Sequence, residues 1–421
     1  MRSLPNKDPM LYQLHELQRS FLNPLTAFAE ASAKLFANPH SPLSYLPYAN
    51  RVAAGYELFF RLGKEYEKPQ FGLHTTIVDD VEVPVLEHIE IDKPFCKLLH
   101  FERYFSEGHR VRKMPDPKVL VFAPLSGHHS TLLRDTVRQL LHCHDVYVTD
   151  WVDARMVPIS HGAFHLDDYI AYAQEFIGHL GPDVHVISVC QPTVPVLAAV
   201  ALMASANDAK LPRTMTMMGG PIDARKSPTE VNNLATTKPY AWFENHVIYK
   251  VPPNYPGYLR RVYPGFLQHA GFVAMNPDRH LTSHYDYYLD LVKGDDDDAS
   301  AHRRFYDEYN AVLDMPAEYY LDTIKTVFQD HALPLGTWHV KGERVAPEDI
   351  RSVALFTIEG ELDDISGSGQ TEAAQGLCSG IPKAKKQHFT APQCGHYGIF
   401  SGKRWRDVIY PRVHDFIRKH A

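Results

Sequence analysis

The segment at residues 186–196 reads VISVCQPTVPV. A strand-like apolar run leads into a small nucleophilic residue, Cys190, and an apolar helical run follows. A sharp strand-to-helix turn at Cys190 would raise its Sγ above the carboxyl edge of a sheet. The N-terminus of the next helix would then offer free N–H groups and a positive dipole, which favour a thiolate and a developing oxyanion. Such turns usually have glycine two residues either side of the nucleophile, and here those places hold Ser188 and Pro192. Pro192 suits a first helical turn, where its missing N–H matters little. Pro195 is expected to delay the regular helix. On this segment alone a buried, inert cysteine remains an open reading.

A thiol needs a base, and the base needs a carboxylate to orient it. An apolar run at 353–358 is followed by Glu359-Gly-Glu-Leu-Asp-Asp-Ile, and the loop before the last helical run reads Gln393-Cys-Gly-His-Tyr-Gly-Ile-Phe. Nucleophile, acid and histidine thus follow in the order used where a nucleophile turn tops a parallel sheet. The chain has 25 histidines, so His396 is singled out by position and by its small neighbour Gly395, not by type. Asp363 is the first choice of acid, with Asp364, Glu361 and Glu359 as alternatives in the same loop. An oxyanion hole needs two backbone donors. One is expected from Gln191, directly after the nucleophile. The other is expected from Leu125 or Ser126, in the loop Pro124-Leu-Ser-Gly-His-His; an ordinary glycine-containing turn is the plainer reading.

These residues need elements to hold them. Residues 119–123 read as a buried strand, 131–141 as a helix, 145–150 as a strand, 166–180 as a helix and 184–189 as a strand. A helix at 193–206 and a strand at 214–218 ending at Gly219-Gly220 follow. Strands alternating with helices imply a parallel, doubly wound sheet. The pattern stops for about 130 residues and returns with a strand at 353–358, a helix at 371–378, a short strand at 386–389 and a closing helix at 405–419. The fold class expected is α/β, an α/β-hydrolase fold with a mostly parallel sheet and an inserted cap. Its parts are a helical segment at 1–69, a first core part at 70–220, the cap at 221–350 and a second core part at 351–421. Within 70–103 two strands flank a turn at Asp79-Asp80, and Pro84 suggests an edge position. Residues 10–37 read as a helix that Pro24 kinks or divides; its apolar face packs on the core or meets a granule surface or partner. Gly294 and the four aspartates after it read as a solvated loop rather than a calcium site.

Composition narrows the class. Charged residues make up 22% and the net charge is −7, an acidic balance unsuited to nucleic acid as main partner. No apolar run is long enough for a membrane span, and the first ten residues lack the apolar core of a secretory signal. The five cysteines are scattered and odd in number. They form neither a disulfide framework nor a zinc motif, and a reducing cytoplasm is expected.

Ser188-Val-Cys-Gln-Pro, Gly360-Glu-Leu-Asp-Asp-Ile and Gly395-His-Tyr-Gly-Ile-Phe-Ser-Gly together resemble the intracellular polyhydroxybutyrate (polyhydroxyalkanoate) depolymerases. The likeness extends along nearly the whole chain, including Met10-Leu-Tyr-Gln-Leu. It implies Cys190 as nucleophile, Asp363 as acid and His396 as base, no metal and no organic cofactor, and amorphous polymer in cytoplasmic granules as partner. Related polyhydroxyalkanoate synthases have glycines beside the cysteine; Gln191-Pro192 departs from that and favours depolymerisation. Coenzyme A stands as a possible acyl acceptor, since a thioester permits both hydrolysis and thiolysis. A synthase-like acyltransferase and a non-catalytic granule-binding protein are the other classes, and a homo-oligomer is left open. The cap is expected to lie over Cys190, with Tyr240, Trp242, Phe243, Tyr255, Tyr258, Tyr263 and Phe266 lining a path for one uncharged polyester strand. The plainer reading is that these aromatics form the cap's own small core.

Overall fold

The structure, a computed structural model, describes residues 10–105, 116–275 and 277–421. The segment read for a secretory signal lies, but for Met10, outside them. Nine strands form the main sheet: β1 (Thr75–Val78), β2 (Val81–Asp92), β3 (Cys96–Arg103), β4 (Lys118–Phe122), β5 (Asp145–Trp151), β6 (Val184–Val189), β7 (Thr214–Met218), β8 (Ala354–Gly360) and β9 (Lys386–Ala391). Their spatial order is 1-2-3-5-4-6-7-8-9. The first three strands join antiparallel, as does β3 to β5, and every pair from β5 through β9 is parallel. Every residue of β6, β7 and β8 is buried, so both faces of the sheet must be covered. Helices α1 (Met10–Ala37) and α2 (Ala49–Gly63) come first in the chain. On one face of the sheet lie α4 (Leu166–Leu180) and α5 (Thr193–Ser205), with Phe176, Leu197 and Met217 in the shared core. On the other lie α3 (Arg134–Leu140) and the helix Tyr410–His420, with Val137, Phe356 and Phe416. This is the α/β-hydrolase arrangement.

The Asp79-Asp80 turn has φ of 50° and 64°, the positive pair a two-residue hairpin turn requires. Three other local expectations are corrected. Pro24 lies inside one continuous helix, which packs along α2, so the segment is not divided there. Pro84 lies on the second strand, not the edge. The four-residue β1 ends its pairing at Thr75 opposite Pro84, so the missing N–H leaves no gap in a long ladder. Pro195 is the third residue of α5, inside the first turn, where N–H groups have no helical acceptor; the helix is not delayed. Between β7 and β8 come α6 (Glu230–Thr237), α7 (Tyr240–His246), α8 (Gly265–Met275), α9 (Pro277–Lys293), α10 (Asp296–Asn310) and α11 (Ala317–Thr323). The aspartate run is the start of α10, not a loop. Asp295 caps it by accepting the Asp298 N–H at 3.3 Å, and negative charge suits a helix N-terminus. Among the described residues no helix is long and apolar enough to cross a membrane.

Candidate active site

Cys190 follows β6 directly and has φ of +65°, a left-handed conformation that a non-glycine residue adopts only where surrounding structure holds it. The hold is visible. The Cys190 N–H donates to the Met218 carbonyl at 2.7 Å, and its carbonyl accepts from Thr193 at 3.1 Å. The usual flanking glycines are absent, and the space they would leave is provided from β7 instead. A Cβ on Gly220 would sit 1.8 Å from Thr193 Oγ1 and 2.6 Å from the Cys190 carbonyl. A Cβ on Gly219, itself at φ +59°, would press to 3.3 Å from His396 Cε1 and 3.4 Å from Asp363 Oδ2. The glycine pair after β7 therefore makes room for the turn and for the histidine. It was visible in sequence only as a strand end.

Asp363 lies after β8 and His396 after β9, on the same carboxyl edge of the sheet as Cys190. His396 Nδ1 meets Asp363 Oδ2 at 2.8 Å, with both side chains buried. The Cys190 side chain acts on the same imidazole, whose Nδ1 is engaged by Asp363. Burial opposes charge on the imidazole. The Asp363 carboxylate and the Cys190 sulfur outweigh it and hold His396 well above its ordinary value. Asp363 Oδ1 accepts the N–H groups of Ile365 and Ser366 at 2.9 and 2.8 Å, which fixes the carboxylate while Oδ2 faces the ring. The other three acids have other places. Glu359, buried, gathers the N–H groups of Gly369, Thr371 and Glu372 at 2.7–2.9 Å. Glu361 accepts from Gln393 at 2.7 Å. Asp364 is exposed.

Among the described residues nothing accepts the backbone N–H of Gln191, Leu125 or Ser126. The Gln191 side chain is locked from above. The Tyr319 hydroxyl donates to its Oε1, and its Nε2 donates to Thr323 Oγ1 at 3.1 Å. Thus α11 grips the residue whose N–H follows the nucleophile, a contact that no local pattern announces. On the opposite wall His128 is buried, stacks on Phe272 at 4.9 Å and meets Tyr397 edge-on at 6.4 Å. Burial pushes its imidazole down to about 4, so it stays neutral beside His396.

A cavity of about 950 Å³ reaches His396. Its aromatic wall comes from α8, α9, α10 and the histidine loop: Phe272, Tyr287, Phe305, Tyr306, Tyr309 and Tyr397. None of the seven aromatics expected to line a path is among its lining residues. Tyr240, Trp242 and Phe243 pack with Ala317, Leu321 and Ile324 in a small core of their own. Tyr255 and Phe266 pack with Tyr12, Val251 and Val262. Tyr263 lies against Tyr320 at 4.4 Å, and Tyr258 is exposed. Six of the seven therefore serve packing, and Tyr258 faces solvent. The signal for the real wall was the spacing of His302, Phe305, Tyr306 and Tyr309, one face of a helix.

A strained nucleophile turn after a parallel strand, an acid and a histidine on the two neighbouring strand ends, and a helical insertion above them define an α/β-hydrolase. Residues 219–421 match the family model described as PHB de-polymerase C-terminus. No curated protein matches the chain. Similar solved structures include a monoacylglycerol lipase from Paleococcus ferrophilus (12% identity, 73% of this chain and 97% of that one, TM-score 0.41). The 2-hydroxy-6-oxo-6-phenylhexa-2,4-dienoate hydrolase of Rhodococcus sp. strain RHA1 is 11% identical over 80% of this chain and 99% of that one, with a TM-score of 0.42. An esterase from Thermogutta terrifontis is 12% identical over 80% and 99%, with a TM-score of 0.41. The match to the family model supports a hydrolase.

Proposed function

We propose that the chain is an intracellular poly(3-hydroxybutyrate) depolymerase that cleaves storage polyester through Cys190, His396 and Asp363. The observation that carries this reading is the His396 imidazole hydrogen-bonded to the fixed Asp363 carboxylate, with the Cys190 side chain acting on the same ring. His396 takes the thiol proton, and Asp363 holds the ring and stabilises the imidazolium. The thiolate adds to an ester carbonyl of the polymer. The oxyanion is received by the Gln191 N–H and that of Leu125 or Ser126. Collapse expels the alcohol end of the chain, which receives the proton from His396, and leaves a thioester on Cys190. Water, deprotonated by His396, then releases a 3-hydroxybutyrate acid or oligomer and restores the thiol. A thiol such as coenzyme A in place of water would release an acyl thioester. No metal or organic cofactor enters these steps. The site of action is the surface of cytoplasmic polymer granules.

The test is incubation with native amorphous granules, with and without coenzyme A, followed by identification of the released products. Release of 3-hydroxybutyrate units that Cys190→Ala abolishes supports the reading. Granule binding without release would make the chain a binding protein. Net chain growth from acyl thioesters would make it an acyltransferase.

A further inference from the structure

The edge of the sheet opposite Cys190 carries a cluster that ester chemistry does not use. His88 on β2 and His100 on β3 are cross-strand partners, with His88 Nε2 and His100 Nδ1 3.3 Å apart. Glu90 falls at the β-bulge between Ile89 and Ile91, a device that re-aims a side chain. Its Oε2 lies 3.7 Å from His88 Nε2. One ligand atom from each of the three residues lies within 4.8 Å of the other two.

We propose that His88, Glu90 and His100 bind a divalent transition-metal ion of the zinc class, with the fourth position open to water. Tetrahedral zinc with bonds of about 2.0–2.1 Å sets its ligand atoms roughly 3.3 Å apart, which is the spacing of the two ring nitrogens. The outer partners point the same way. His100 Nε2 meets Asp145 Oδ1 at 2.7 Å, which places the proton on Nε2 and leaves the Nδ1 lone pair facing His88. The ring plane is held by stacking on Tyr147 at 4.1 Å. His88 Nδ1 has Glu102 at 3.9 Å on its far side. Glu90 keeps its second oxygen on His179 of α4 at 2.7 Å. His100 and Glu90 are thus each hydrogen-bonded to a second polar group, as metal-bound imidazoles and carboxylates are. Asp145 opens β5 whereas Cys190 follows the last residue of β6, so the ion sits at the far edge of the sheet. It ties the β2–β3 hairpin to α4 and β5 rather than joining catalysis.

The experiment titrates Zn²⁺ alone into the chelator-stripped, purified chain and into its His88→Ala/His100→Ala variant by calorimetry, with Co²⁺ absorption as a second readout. The wild type is expected to bind one more ion tightly than the variant and to give the intense d–d bands of tetrahedral cobalt, which the variant lacks. Asp145→Asn should weaken that binding about 10- to 100-fold, and ester cleavage should be the same before and after stripping. If the double variant does not fold, Glu90→Gln is judged by the same comparison. Equal stoichiometry and affinity in wild type and folded variant, or octahedral cobalt spectra in both, overturns the proposal whatever the chain's activity proves to be.

Discussion

The carboxyl edge of the sheet and helices α8–α10 close one cavity from two sides, and they hold their side chains by different means. At the sheet edge position is set by hydrogen bonds. Asp363 spends one oxygen on two backbone N–H groups and the other on His396, and Glu359 takes three N–H groups. Across the cavity His302 has no hydrogen-bond partner for either ring nitrogen, and His284 none for Nδ1, among the described residues. These rings are held by packing: His302 stacks on Tyr287 at 4.2 Å and lies against Tyr306 at 4.4 Å. Hydrogen bonds fix a reacting atom to a few tenths of an ångström, whereas stacked rings fix a plane and tolerate sliding. The hydrogen-bonded groups thus have one arrangement, whereas the stacked wall can adjust.

Breaking the rigid side should have the largest effect. Cys190→Ala and His396→Ala should each lower ester cleavage by about four to six orders of magnitude while leaving the fold intact. Steady-state rates on a soluble ester, with circular dichroism as control, measure this. A Cys190→Ala rate above about a tenth of the parent's would send the search to another nucleophile.

Next comes the choice of acid. Asp363→Asn should lower kcat by roughly 10²–10⁴, because the amide cannot hold the required tautomer. Asp364→Asn should change it by about threefold or less, as expected of an exposed side chain. Equal loss in the two variants would mean that the hydrogen bond to His396 is not what matters. Gly219→Ala probes the same edge from β7. The added methyl crowds His396 at a backbone angle alanine disfavours, and kcat should fall about tenfold or more. Unchanged kcat would show that the ring has room to spare.

The difference between the two sides also explains what could be read from the sequence. The convergence of Cys190, Asp363 and His396 at one edge was legible because each follows a strand, and strand order in a parallel sheet brings strand ends together. The acid was read as Asp363, with three alternatives left open in the same loop. Choosing Asp363 over Glu359 depends on which backbone N–H groups each carboxylate meets after folding. The aromatic wall was misassigned because aromatic content says nothing about facing. Trp242 and Phe243 turn inward onto α11, while Phe305 and Tyr309 turn toward the triad. The grip of Tyr319 and Thr323 on Gln191 joins residues more than 120 positions apart, beyond any local signal.

That contrast can be sharpened on the wall itself. Phe305→Ala and Tyr309→Ala should slow cleavage of amorphous polymer about three- to tenfold more than cleavage of a short soluble ester, since lost apolar contact acts on the longer substrate. Trp242→Ala should slow both alike or neither. Parallel effects on the two substrates from the wall variants would remove the wall from polymer recognition.

The smallest effect concerns the unpartnered ring on the wall. Burial pushes His302 down to about 4, with His284 and Arg61 adding to the shift. Its folded pKa is below the unfolded value of about 6.5, so the unfolded chain binds more protons between those limits. The ring therefore costs no protonation energy above about pH 6.5 and destabilises progressively as pH falls toward 4. His128, His144 and His185, pushed down to about 4, 3 and 4 by burial, act in the same direction. Asp153 acts oppositely. Burial and neighbouring Asp314 raise it to about 7, so its protonation on acidification relieves the folded state. His302→Phe keeps a flat ring on Tyr287 and removes one titrating group, leaving the others in place. Its melting temperature should lie within about 1 °C of the parent's at pH 7.5, and at pH 5 the gap should move by about 1–2 °C in the variant's favour. Half-burial and solvent screening keep the shift that small. A gap that stays the same at both pH values would show that the His302 ring is not held neutral in the fold.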